Sequence, residues 1–202
     1  MKTDPVLKWL YFGSPRAVVL FGLPQVVLLI AAGWAGGHRP ETIPLWLLGG
    51  LGYWTLIEYV MHRYVLHWRP RREAIRRIMS AAHELHHLRP TDTEILNVGP
   101  LISLPLTAVI YLLTAAVLRS WSSSALLMAG AMLGFFAYEY IHHRVHTRAD
   151  RRSVFAPLHR SHATHHFINE RRNFGVTSPF WDRVFGTYQL AGYSVKKGSA
   201  AP

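Results

Sequence analysis

Ala125-Leu126-Leu127-Met128-Ala129-Gly130-Ala131-Met132-Leu133-Gly134-Phe135-Phe136-Ala137-Tyr138-Glu139-Tyr140-Ile141-His142-His143-Arg144-Val145-His146 is an apolar run that ends in histidines. From Ala125 to Ile141 the only charge is Glu139. That part reads as a membrane helix. His142 and His146 stand four apart, so on a helix they share one face, one turn from each other. Neutral imidazole is the commonest side-chain ligand for transition metals. The stretch therefore predicts a helix that leaves a bilayer and carries metal ligands at its end.

Three more stretches approach the ~20 apolar residues that cross a bilayer core. They are Ala17–Gly37, Ile43–Met61 and Val98–Leu118. Pro24, Pro100 and Pro105 are tolerated there when neighbours re-satisfy the freed backbone groups. Half the residues are hydrophobic and 16% are charged, a low charge content for a soluble protein. Four long runs with little polar interruption argue against buried helices of a soluble α-protein. Ala31-Ala32-Gly33-Trp34-Ala35 resembles a signal cleavage site, but the run before it is longer than a signal core, so the first helix is expected to be retained. The expected fold is an all-α integral membrane protein: four transmembrane helices with a cytosolic histidine-rich helical cap. The absence of cysteine excludes zinc–thiolate, iron–sulfur and disulfide chemistry.

Threading the four helices alternately puts 1–16, 62–97 and everything after Ile141 on one side. The short turns 38–42 and 119–124 fall on the other. Of 22 Lys and Arg, all but Arg39 and Arg119 lie on the first side. The positive-inside rule makes that side cytoplasmic, with both termini. Twelve of the 13 histidines fall there too, an agreement that the threading did not assume. The expected location is a bacterial inner membrane or the endoplasmic reticulum. Arg69, Arg71, Arg72, Arg76 and Arg77 are expected to face anionic headgroups, and no nucleic-acid partner is expected.

The clustered histidines read His62-x4-His67, His83-x2-His86-His87, His142-His143-x2-His146 and His159-x2-His162-x2-His165-His166. This is too many imidazoles for one mononuclear site, so two metals in a nitrogen-rich cage are expected. His83, His86 and His87 share a helix face, and His162, His165 and His166 repeat that spacing. His62 and His67 sit about 140° apart on an unbroken α-helix, so they serve different metals or the helix ends between them. The second half echoes the first: Glu58-Tyr59-Val60-Met61-His62-Arg63 against Glu139-Tyr140-Ile141-His142-His143-Arg144. The echo pairs His62 with His143 and leaves the choice between His142 and His143 open. Glu58 and Glu139 are expected either to accept an imidazole N–H or to pair with Arg63 and Arg144. His143 and His159 stand one step off the repeated spacing and are read as extra ligands or supporting groups. His38, alone in an outer turn, is read as structural.

With these motifs in place, the chain resembles the fatty acid hydroxylase superfamily of membrane di-iron enzymes, and most closely its fatty acid 2-hydroxylases. The resemblance runs over roughly residues 50–190. It includes His83-Glu84-Leu85-His86-His87, Leu158 through Phe167, Asn173-Phe174-Gly175 and Trp181-Asp182-Arg183-Val184-Phe185-Gly186-Thr187-Tyr188. It implies ten metal-binding histidines: His62, His67, His83, His86, His87, His142, His146, His162, His165 and His166. It also implies two iron ions (Fe2+), O2 as co-substrate, and electrons from an external donor. The chain carries no cytochrome b5-like segment and no haem or flavin motif. A separate cytochrome b5-like or ferredoxin-like protein is therefore the expected partner, besides the bilayer and the lipid substrate. Sterol-type members usually space the first pair His-x3-His, so the five-residue step from His62 to His67 favours fatty acyl chains. Carotenoid and sterol hydroxylases or desaturases remain alternatives.

Acyl C–H bonds have no useful acidity, so a redox metal must carry the chemistry. The chain is expected to enter from the bilayer, past Trp54, Tyr59, Phe135, Phe136 and Tyr140, residues that equally suit helix packing or an interfacial belt. Asn173 is a candidate extra ligand, hydrogen-bonding group or turn residue. A metal transporter would place ionisable ligands along a mid-membrane path, whereas the central parts of these four stretches have no His, Asp or Glu. The expected organisation is one domain over 1–202: N-terminal segment and first helix 1–42, catalytic region 43–190 and tail 191–202.

Overall fold

A computed structural model describes residues 14–72, 81–148 and 152–190. Arg76, Arg77 and the tail 191–202 lie outside the described residues. Among those described, every regular element is helical: α1 Pro15–Ala35, a 3-10 turn Pro40–Thr42, α2 Ile43–Val60, a π-helical segment Met61–Leu66, α3 Ala81–Leu88, α4 Pro100–Leu118, α5 Trp121–Thr147, α6 Ala156–Phe167 and α7 Phe180–Val184.

Local sequence sets the helix ends. Ser14 caps α1 by accepting from the Ala17 N–H at 3.2 Å, with Pro15 just inside, where its missing N–H costs nothing. Ser120 caps α5 in the same way, accepting from Ser123 at 3.2 Å. Arg119, at φ 52°, turns the chain between α4 and α5. His38 reaches Ser123 at 3.1 Å and sits edge-on to Trp46, so it ties two outer turns together.

Among the described residues, three helices are long and apolar enough to cross a membrane: α1, α4 and α5. The expected fourth, α2, spans 18 residues, and Glu58 and its Trp and Tyr side chains dilute its apolar character. α5 is the centre of the bundle. From Ser124 to Met132 its side chains are mostly buried, against α1 on one flank and α2 on the other. Helices cannot gain much by hiding apolar surface from lipid, so close backbone approach must hold them. Gly50 and Gly130 provide it. A Cβ on Gly50 would lie 2.6 Å from the Gly130 Cα, and one on Gly130 would lie 2.8 Å from the Gly50 Cα. Apolar residues on the outer faces, such as Leu28, Leu113 and Val117, are exposed, as surfaces meant for lipid are.

At 27 residues α5 is about 40 Å long, against a hydrocarbon core of about 30 Å. Its last turns, with His142 and His146, therefore continue past the apolar section. The expected apolar stretch Ala125–Ile141 and the histidine motif after it are one unbroken helix.

Candidate metal centre

The ten motif histidines converge into two groups of five. One holds His62, His67, His83, His87 and His165, the other His86, His142, His146, His162 and His166. Within each group, one ring nitrogen per residue lies within 4.8 Å of all the others. The groups adjoin: the His87 and His166 rings stack at 4.2 Å.

Helical spacing explains the division. On α3, His83 and His87 stand one turn apart and enter the first group, while His86 faces the second. On α6, His162 and His166 enter the second group, while His165 faces the first. The His-x-x-His-His triplets therefore do not each converge on one point, as a shared face had suggested. Each half of the chain gives four imidazoles to its own group and the middle triplet histidine to the other.

The five-residue step from His62 to His67 is accommodated by the π-helical segment. The His67 N–H reaches the His62 carbonyl at 3.2 Å, an i→i+5 bond that widens the turn by one residue. The two rings end 5.1 Å apart in the same group. Neither outcome expected from α-helical geometry applies, because the helix continues with a different pitch. The structure pairs His62 with His142, not with His143 as the echo suggested. His143 and His159 lie outside both groups.

Ring nitrogens crowd inward. In the first group Nε2 of His67 lies 3.0 Å from Nε2 of both His165 and His83. His87 lies 3.1 Å from His83 and 3.2 Å from His165. In the second group His86 meets His142 at 3.1 Å and His146 meets His162 at 2.7 Å. A neutral imidazole has a single N–H to give. His62 gives its Nδ1–H to the Phe174 carbonyl at 2.5 Å, and His165 gives its own to the Arg172 carbonyl at 2.7 Å. Their Nε2 atoms must therefore carry lone pairs, and the His62 Nε2 is buried with no hydrogen-bond partner. Inward lone pairs with no proton to share fit a cation.

Burial also keeps the rings neutral. It pushes His62, His83 and His162 well below the ordinary histidine range, His67 down to about 4 and His165 down to about 3. Neighbouring imidazoles add to the effect. His86, His87 and His166 are lowered by the same burial. Neutral imidazole is the form that binds metal.

The supporting layer departs from expectation. Glu58 and Glu139 neither accept an imidazole N–H nor pair with Arg63 or Arg144. Glu58 accepts from the backbone of Val176 and Thr177 and from the Thr177 hydroxyl. Glu139 accepts from Asn97 at 2.5 Å and from the Val98 N–H at 3.2 Å. A buried carboxylate is stable when backbone N–H groups surround it, and each of these two anchors a loop. The loop on Glu58 carries the Phe174 carbonyl to His62. The loop on Glu139 brings Leu96 beside His142, whose Nδ1 has no hydrogen-bond partner.

Asp182 holds the first loop from its other end. It accepts from the N–H groups of Phe174 at 2.9 Å and Gly175 at 2.7 Å, and from the Thr187 hydroxyl at 2.7 Å. Tyr59 completes the lattice. Its hydroxyl sits 3.0 Å from Thr187 and accepts from Arg63 at 2.5 Å. Asp182 and Thr187 belong to the Trp181–Tyr188 motif, whose residue types do not disclose this role. Buried acids facing backbone N–H groups leave no spacing signature.

Asn173 is not placed to ligate. It is fully buried at φ 56°. Its amide donates to the carbonyls of Ser161 and Gln189 and accepts from the Gln189 N–H. Among the aromatic candidates, Tyr59 stacks on Phe185, Trp54 packs against Phe135 and Tyr138, Phe136 lies over Gly22 of α1, and Tyr140 is exposed. Phe135 borders a narrow crevice between α1, α4 and α5.

Residues 47–187 match the fatty acid hydroxylase family model. The chain belongs to the fatty acid hydroxylase family. It is 33% identical over 172 residues to the dihydroceramide fatty acyl 2-hydroxylase FAH1 of Arabidopsis thaliana, covering 85% of this chain and 72% of that one. Against the ceramide very long chain fatty acid hydroxylase SCS7 of Saccharomyces cerevisiae it is 35% identical over 143 residues, 69% of this chain and 36% of that one. A solved structure of full-length scs7p, with only its hydroxylase domain visible, superposes with a TM-score of 0.79 at 27% identity, covering 94% of this chain and 71% of that one. This family member is an oxidoreductase of lipid acyl chains and a membrane protein.

Proposed function

We propose that this hydroxylase inserts one oxygen atom of O2 at carbon 2 of a lipid acyl chain, using two irons held by the two histidine groups. The observation that carries this is the pair of adjoining five-imidazole groups at the ends of membrane helices, in a chain whose relatives are named as acyl 2-hydroxylases. The reaction is R–H + O2 + 2 e− + 2 H+ → R–OH + H2O. Bound iron supplies the oxygen activation that no side chain offers. Nitrogen donors alone would also accept zinc or copper, so the assignment to iron rests on the family resemblance.

The protein's own part is geometric. The His62 and His165 tautomers are fixed by carbonyls, which turns Nε2 inward. Glu58 and Asp182 hold the loop that carries one of those carbonyls, and Glu139 anchors its counterpart. With α2 as a fourth span, the groups sit on the cytosolic side, directly past the helix ends. An acyl tail in the bilayer then reaches them without crossing water. Residues 1–202 act as one functional unit. Electrons come from a separate cytochrome b5-like or ferredoxin-like protein.

The test is mass spectrometry of total fatty acids in a host that has no 2-hydroxy lipids, expressing the wild-type chain or His165→Ala. New 2-hydroxy acyl chains with wild type alone are the expected result. Their absence, with intact iron-loaded protein and a competent donor, refutes the position and redirects the search to carotenoids and sterols.

A further inference from the structure

Hydroxylation consumes two electrons that neither the acyl chain nor O2 supplies, and the proposed function draws them from a separate protein. A donor protein must bring its redox group close, because electron transfer slows steeply with distance. The favourable place is one where little protein separates solvent from the histidine groups. His67 marks such a place. It forms one wall of a half-open cavity of about 320 Å3, with Arg63, Tyr64, Arg69, Glu170, Arg171 and Phe174. The Nε2 of the same His67 is 3.0 Å from those of His165 and His83 inside the first group. One imidazole spans the whole distance from cavity to cage.

The mouth is cationic. Three arginines face one carboxylate, and that carboxylate, Glu170, is engaged by Arg69 at 3.0 Å. Arg63 is held in place by the Tyr59 hydroxyl and lies over the Tyr64 ring at 4.9 Å. Tyr64 is exposed, as are Phe167 and Ile168 just before Glu170 in the chain. Exposed aromatic and apolar side chains interleaved with arginine are the composition of protein-binding surfaces.

We propose that the cavity ringed by Arg63, Arg69 and Arg171 docks an acidic electron-transfer protein, and that electrons enter the first histidine group past His67. This rests on the hydroxylase reading and extends it to the partner's site.

The test uses the full chain in nanodiscs of neutral phosphatidylcholine, with a dihydroceramide as substrate and an acidic cytochrome b5 as donor. Two quantities are read: donor affinity, which needs no turnover, and product formed with either reduced donor or dithionite. Arg69→Gln/Arg171→Glu is expected to weaken donor binding by about 10-fold or more and to slow donor-driven turnover to match. Dithionite-driven turnover and metal content stay at the wild-type level, and raising salt erases the difference. Arg171→Glu alone, the milder change, moves binding in the same direction, and Arg119→Glu at the opposite end of the bundle changes nothing. Equal loss with donor and dithionite overturns the proposal, because the cavity then serves substrate or metal. Unchanged donor binding also overturns it and gives the arginines to anionic lipid headgroups. Wild-type protein that binds donor but makes no product with either reductant refutes the hydroxylase reading instead.

Discussion

The first histidine group is drawn tight by a loop from the C-terminal region, whereas the second relies mostly on helix geometry. In the first, two Nδ1–H groups are fixed by carbonyls at 2.5 and 2.7 Å. In the second, the Nδ1 atoms of His86, His142, His162 and His166 have no hydrogen-bond partner, and Leu96 lies only beside His142. Both groups share two parts: a glutamate one turn before the first histidine and a loop clamped on it. The difference shows how a donor set can be ordered in two ways, by fixing the tautomer from outside or by relying on an i, i+4 step.

The largest expected effect tests the grouping itself. His165→Ala and His86→Ala each remove a donor from the group opposite their own half of the chain. Product formation should fall by more than ~100-fold, since even outer partners of a ligand are worth about 10–100-fold. Elemental analysis should show metal content reduced by about half or more. His143→Ala and His159→Ala should keep both metals. Two retained metals and normal turnover without His165 would break the division into fives.

A smaller effect separates the two supports. Asp182→Asn replaces a carboxylate that accepts from two N–H groups with an amide that can accept at only one atom. Metal affinity of the first group should drop about 10–100-fold with the second unaffected. Chelator competition followed by residual metal count measures this. In the wild-type chain the second group should release its metal faster. Simultaneous release from both groups would mean that the loop confers no advantage.

The smallest compares two tyrosines in equivalent places. Tyr59 is buried, with its hydroxyl between Thr187 and Arg63, so Tyr59→Phe should cost about 1–2 kcal/mol. Tyr140 is 58% exposed, and its hydroxyl accepts from Arg144. Tyr140→Phe should therefore stay within about 0.5 kcal/mol. Thermal unfolding in detergent reads both, and equal losses would remove the asymmetry.

Period and spacing made much of this visible in the sequence. Apolar runs located the membrane helices, because lipid demands uninterrupted apolar residues. The i, i+4 steps of His83/His87, His142/His146 and His162/His166 placed imidazoles on common helix faces, because α-helical pitch is fixed, and these six converge in the structure. What stayed hidden depends on departures from that pitch or on contacts distant in sequence. The π turn at Met61–Leu66 reverses the reading of His62 and His67. Glu58 stood out as a candidate partner of an imidazole or of Arg63, but its partners Val176 and Thr177 lie in the C-terminal loop, more than a hundred residues away. Backbone groups carry no residue-type signal, so no pattern could have named them.

The exchange of His86 and His165 has a consequence for how such a chain can be made. Translation delivers His62, His67, His83 and His87 early, yet their group stays one donor short until residue 165 has been synthesised and α6 has docked. The second group has the opposite history: it inherits His86 from the earlier half and gains the rest later. Neither set is complete in a nascent or truncated chain, so a fragment ending before α6 offers no finished site to a metal. In the two-metal reading proposed above, acquisition of metal reports that both halves have met.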